Sequence, residues 1–129
     1  MKRVLFVCVE NSCRSQIAEA VARMHGAGVV EPFSAGSSPS GQVNPKAVES
    51  MRELGYDLSK HASKSLPDIP AVAYDVAVTM GCGDACPTVR AKKHEEWPIP
   101  DPKAMTPEEF RAVRALIQWK VQELLARLA

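Results

Sequence analysis

Apolar and polar positions divide the chain into short hydrophobic runs and longer stretches of helical period. Arg3 to Val7 is almost wholly apolar, as expected for a parallel strand covered on both faces. From Ser15 onward Ile17, Val21 and Met24 recur at helical spacing, alanines at 18, 20 and 22 add propensity, and Gly26 offers a stop. A second strand is expected within Gly28–Gly36, weakened by Pro32, and "SSPSGQVN" reads as a polar loop.

Asn44 as cap, Pro45 at the first helical position, an apolar face of Val48, Met51 and Leu54, and Gly55 at the exit predict a helix. "LPDIPAVAY" is too rich in proline for more than a short helical turn, and "YDVAVTM" reads as a buried strand running into "GCGDACP". "HEEWPIPDP" allows a brief edge strand and then a loop. The longest element begins at Thr106, with Pro107 next and Glu109 completing a capping box; Phe110, Val113, Ile117, Val121, Leu124 and Leu128 form its apolar stripe. Strands alternating with helices argue for a parallel α/β sheet with helices on both faces, in which ligands bind at the carboxyl ends of strands.

Composition narrows the class. The 129 residues are 46% hydrophobic with 16 basic and 15 acidic side chains, as expected for one globular domain over 1–129. No signal peptide or membrane span is expected, which points to the cytoplasm, and no metal or cofactor is called for. The net charge of +1 gives no field for steering towards nucleic acid. The one basic cluster, Arg90, Lys92, Lys93 and His94, is expected to be a solvated loop. His25, His61 and His94 receive no catalytic role. Four cysteines in a reducing compartment suggest catalysis or metal binding, and they fall in two pairs, Cys8 with Cys13 and Cys82 with Cys86.

The stretch "CVENSCR", Cys8 to Arg14, joins a strand to a helix. Its backbone N–H groups at Val9, Glu10, Asn11, Ser12 and Cys13 can curl into a nest for a tetrahedral oxyanion, aided by the helix start and by the planar fork of Arg14. The same dipoles favour a thiolate at Cys8, and the Ser15 hydroxyl can donate to its sulfur. Cys8 is therefore a candidate nucleophile beneath a bound dianion. Cys13 is either loop packing or a protective disulfide partner of Cys8, and Asn11 either braces the loop or only makes its turn. A tetrahedral zinc or arsenite site built from four cysteines is a competing reading that Arg14 disfavours.

"FVCVENSCRSQIAEA" resembles the Cys-x5-Arg-Ser signature of the low-molecular-weight tyrosine phosphatase superfamily, and more so the thioredoxin-coupled arsenate reductases that share its fold. The likeness extends through "SAG", "VNPKA", "HAS", Cys86-Pro87 and Asp101-Pro102. It implies a flavodoxin-like, single-domain sheet of about four strands in the order 2-1-3-4, and a monomer. Gln16 stands where phosphatases usually have proline, and Lys103-Ala104 where they usually place an aromatic residue. The resemblance implies arsenate as substrate, with phosphate or sulfate competing for the loop. It further implies a relay from Cys8 to Cys82 to Cys86 regenerated by thioredoxin, or else by glutaredoxin or mycoredoxin, with Asp101 as the proton donor unless it is only a surface turn residue. Phosphate monoester hydrolysis through a cysteinyl-phosphate is the rival activity.

Three departures from the family pattern carry expectations. Only three residues separate Cys82 from Cys86. On an intact helical turn such residues hold their Cβ atoms about 5–6 Å apart, whereas a disulfide needs about 3.5–4.5 Å, so oxidation is expected to unwind residues 81–87. Glu10 occupies a loop position facing the dianion and is expected to point out to solvent. Potassium-binding members carry a carboxylate just after "His-x-Ser". Here Asn11, Glu19 and Ser34 match their other ligands, but Lys64 takes that position, so its ammonium is expected to replace the cation.

Overall fold

The structure is a computed structural model and describes residues 1–81 and 89–129. The segment holding Cys82, Cys86 and the expected unwinding turn lies outside the described residues. Four strands form one sheet among the described residues: β1 (Lys2–Cys8), β2 (Val30–Gly36), β3 (Tyr74–Thr79) and β4 (Ala91–Glu96). Every pairing is parallel and the order is β2-β1-β3-β4, as the sequence implied. Among the described residues three helices accompany them, α1 (Arg14–His25), α2 (Pro45–Arg52) and α3 (Pro107–Leu128), with 3-10 turns at Leu58–Lys60 and Leu66–Asp68.

Side-chain alternation along β1 divides the core. Val4, Phe6 and Cys8 face one side, where they pack with Ile17 and Val21 of α1, Met51 of α2 and Ile117 and Val121 of α3. Leu5 and Val7 face the other, joining Ala35 and Tyr74 beneath Phe33, Leu66, Ile69 and Val72. Both caps anticipated for the helices form: Asn44 Oδ1 accepts from Lys46 N at 2.8 Å, and Thr106 and Glu109 exchange bonds as a capping box.

The basic cluster departs from expectation. Lys92, Lys93 and His94 do not form a loop but lie on β4, the edge strand beside β3. Charges alternate poorly with an apolar face there, which hid the strand's first half and left only the brief edge strand allowed from His94, yet exposed lysines suit an edge because they discourage pairing with another chain. Among the described residues no helix is long and apolar enough to cross a membrane.

Register sets the position of the chemistry. Cys8 pairs with Gly36 at the carboxyl ends of β1 and β2, and Thr79 ends β3 opposite Val7. The loop from Cys8 into α1 therefore sits over the sheet's carboxyl edge, where strands β2 and β3 flank β1 and the chain runs from β1 to both sides. Gly36 allows the close approach: a Cβ there would lie 2.9 Å from Asn11 N.

Candidate active site

The loop between β1 and α1 is held by its carbonyls. Val9 O accepts from Ser38 N at 2.8 Å, Glu10 O from Ser40 N at 3.0 Å and Ser63 Oγ at 2.9 Å, Asn11 O from Gln16 Nε2 at 3.1 Å, and Ser12 O from Asn44 N at 2.9 Å. Because each peptide is planar and trans, an outward carbonyl turns the next N–H the opposite way. The loop thus presents N–H groups on its concave side, at Glu10, Ser12 and Cys13, all of which line a cavity of about 250 Å³ with Cys8, Arg14, Asp101 and Lys103. Asn11 adopts φ 48°, a left-handed conformation that asparagine tolerates better than most residues and that bends the loop into this curve. No side chain caps α1 among the described residues, and its first residue, Arg14, lines the cavity.

Around the sulfur the hydrogen bonds have a fixed sense. Lys64 N donates to Asn11 Oδ1 at 2.8 Å, so the Asn11 amide turns its Nδ2 to Ser15 Oγ, also at 2.8 Å. Ser15 Oγ lies 2.9 Å from Cys8 Sγ; it accepts from Asn11 and keeps its own proton available for the sulfur, which as a thiolate could only accept. Gln16 Nε2 donates to Asn11 Oδ1 and to Ala62 O, which leaves Oε1 to accept from His61 Nδ1 at 2.9 Å. His61 is then the Nδ1–H tautomer, and its Nε2 accepts from the Tyr56 hydroxyl at 2.6 Å. Burial lowers the His61 pKa, keeping it neutral, although Glu19 nearby pulls the other way.

Arg14 is nearly buried, and one guanidinium N–H is spent on Ile99 O at 2.9 Å, which fixes the fork beside the cavity. Asp101 is exposed at the mouth, its Oδ1 accepting from Lys103 N at 3.0 Å. Cys8 and Cys13 are both free thiols. Burial chiefly, then Asp101 and Cys8, push the Cys13 thiol up to about 12, so it stays protonated. Glu10 does not stand free in solvent as expected. Its side chain is 35% exposed and bonds Lys103 Nζ through both oxygens, at 3.0 and 3.2 Å, because the Asp101–Lys103 turn brings a cation within reach.

Behind the loop, Ser34 Oγ donates to Glu19 Oε1 at 2.5 Å, Arg23 Nε bonds Oε2 at 2.9 Å, and Lys64 Nζ stands 3.6 Å from Oε1. Burial alone would raise the Glu19 pKa, but Ser34, Lys64, His61 and Arg23 together bring it below the usual range.

Residues 3–129 match the family model of the low molecular weight phosphotyrosine protein phosphatases. The chain belongs to that family. Among members of this phosphatase family, it is 39% identical over 132 residues to the glutaredoxin arsenate reductase of Synechocystis sp., with both chains covered in full. It superposes with TM-score 0.90 at 39% identity on a solved structure of an arsenate reductase in the phosphate binding state, again covering all of both. The Corynebacterium glutamicum thioredoxin-dependent arsenate reductase gives TM-score 0.81 at 33% identity, covering 99% of this chain and 62% of that one.

In this phosphatase-family site, Cys8, Arg14 and Asp101 share one cavity, while Ser15 and Asn11 sit beneath it. Asn11, Glu19, Ser34 and Lys64 cluster as the resemblance implied. Three contributors escaped the sequence reading: His61, Gln16 as its link to the loop, and Lys103 as the partner of Glu10. The histidine was legible only through its neighbours: Ala62 gives a carbonyl to Gln16, Ser63 a hydroxyl to Glu10 O, and Lys64 a backbone N–H to Asn11 Oδ1.

Proposed function

We propose that this protein reduces arsenate to arsenite through a three-thiol relay. The observation that carries the reading is the Ser15 hydroxyl within 2.9 Å of Cys8 Sγ, beneath an oxyanion-sized cavity beside Arg14. Arsenate would bind the loop N–H groups and Arg14, with Cys8 thiolate attacking arsenic(V) and one oxygen leaving as water, assisted by Asp101. Cys82 would then attack Cys8 Sγ. The sulfur–arsenic bond breaks with its electron pair going to arsenic, which leaves as arsenite, while Cys8 and Cys82 are oxidised together to a disulfide. Cys86 attacks Cys82 next, freeing Cys8 and leaving a Cys82–Cys86 disulfide.

The arsenate reductase names of the relatives support this substrate. The proposed reductant is thioredoxin. Glutaredoxin is the second reading, favoured by the name of the 39% identical Synechocystis relative. Because the relay needs reduced thiols at rest, the proposed location is the cytoplasm. Residues 1–129 act as one domain in this reading. Lys64 holds its ammonium against Glu19 where related proteins would hold potassium, so the site does not call for an added cation.

The test is arsenate-dependent NADPH oxidation with thioredoxin and thioredoxin reductase, run in parallel with glutaredoxin, glutathione and glutathione reductase. Turnover lost in both Cys82→Ser and Cys86→Ser is the expected result. Brisk para-nitrophenyl phosphate hydrolysis that both variants retain, with no arsenate turnover, would instead establish the phosphatase activity that the family description favours.

A further inference from the structure

The cavity that is to hold a dianion carries an awkward charge balance. Glu10 and Asp101 bring two carboxylates to its walls beside the Cys8 sulfur, and Arg14 alone would face them. The other cation lining the cavity is Lys103, which comes from the opposite wall and reaches across to Glu10. Its place is fixed twice, by the ion pair and by its own N–H on Asp101 Oδ1. An ammonium has three donors. The two Glu10 oxygens occupy one side of it, leaving donor capacity directed at the cavity. Hydrogen bonding to Glu10 also raises its pKa, so the charge persists at any working pH.

As an exposed ion pair Glu10–Lys103 adds little to stability. Its consequence lies with the ligand. We propose that Lys103 is an anion-binding residue of this site, its ammonium contacting the bound tetrahedral dianion, with Glu10 as the positioning residue that holds it at the mouth. The inference rests on the reading of the loop as an oxyanion cradle. It assigns a second cation beyond Arg14, and it explains how a carboxylate in the cradle is tolerated.

The test measures protection of Cys8 from iodoacetamide by inorganic phosphate, with alkylation read at Cys8 by mass spectrometry, and separately the arsenate kinetics. Lys103→Met should weaken phosphate protection about five- to tenfold at low ionic strength, with a smaller loss at high salt as screening mutes the unpaired Glu10. The arsenate KM should rise in step while kcat stays within about twofold, the mark of binding lost equally in ground and transition states. Glu10→Gln combined with Lys103→Met restores the original charge balance but not the ammonium contact, and should recover only part of the protection; full recovery would reduce Lys103 to a neutraliser of Glu10 and overturn the proposal. Protection by phosphate that is unaltered in Lys103→Met at low salt overturns the proposal. Wild-type protein that phosphate does not protect at all overturns the cradle itself, and the proposed function with it.

Discussion

Asn11 Nδ2 donates to Ser15 Oγ at 2.8 Å, which leaves the Ser15 proton available for a second partner. That partner is Cys8 Sγ at 2.9 Å, and a proton donated there would favour the nucleophile that the proposed reaction needs. A hydrogen bond to a charged group is worth about 1.5–3 kcal/mol, so Ser15→Ala should slow alkylation of Cys8 at neutral pH about tenfold. Asn11→Asp keeps the shape but offers Ser15 an acceptor, drawing the proton off the sulfur, and should slow alkylation as well. Equal rates in wild type and both variants would show that the hydroxyl does not serve the thiol.

Gly81 bears on Arg14 in a comparable way. It adopts φ 76°, and a Cβ there would stand 2.6 Å from Arg14 Nη1 and 2.8 Å from Ile99 O, the pair whose hydrogen bond fixes the guanidinium. Gly81→Ala must therefore displace the fork as well as adopt a backbone conformation that disfavours a side chain. The expected result is phosphate protection of Cys8 weakened several-fold, with a loss of stability of about 1–2 kcal/mol by denaturant titration. A variant that loses the stability but keeps the anion affinity would separate Gly81 from the site.

The fold was readable where one pattern dominated. β1 and β3 are continuous apolar runs, and α2 and α3 announce themselves through caps and period, so the alternation of strand and helix was plain. β4 was readable only in part: a brief edge strand was allowed from His94, but Lys92 and Lys93 give its first half the composition of a loop. At the site, Cys8, Arg14 and Ser15 lie within eight residues of one another and were found by local spacing. His61, Gln16 and Lys103 act through partners 45 to 93 positions away, so their roles depend on tertiary contacts that no window of sequence contains.

His61 gives the folded protein a pH dependence. Burial keeps its folded pKa below the ordinary value, about 6.5, that applies in the unfolded chain. As pH falls through that value, the unfolded chain takes up a proton that the folded one resists, so stability declines below about pH 6.5 and is level above it. Protonation would also place a hydrogen on Nε2, opposite the proton that Tyr56 now donates there. Thermal midpoints should therefore fall between pH 7 and pH 5, and His61→Gln should flatten that slope. Glu19, whose pKa is held low, contributes its own loss only beneath the usual carboxylate range of about 4.3. A slope between pH 7 and pH 5 that His61→Gln leaves unchanged would assign it to another group.

In the proposed reading Lys64 sets the response to monovalent cations. Its Nζ stands 3.6 Å from Glu19 Oε1 and donates to Ala62 O at 2.9 Å, while Ser34 and Arg23 occupy the rest of the Glu19 carboxylate. An ammonium in that position supplies a fixed positive charge, and a potassium ion entering beside it would be repelled at close range. Activity and thermal midpoint should accordingly be the same in potassium chloride and in tetramethylammonium chloride of equal ionic strength. Lys64→Asp reverses the sign of the charge beside a second carboxylate, creating an oxygen-rich site that needs a cation. That variant should be less stable in tetramethylammonium and recover selectively with potassium. Because Lys64 N also holds Asn11 Oδ1 through the backbone, the substitution leaves that donor in place, and any potassium-dependent change in Cys8 alkylation would report the cation acting through Asn11 and Ser15. A several-fold potassium stimulation of the wild-type protein would show instead that the lysine does not stand in for the ion.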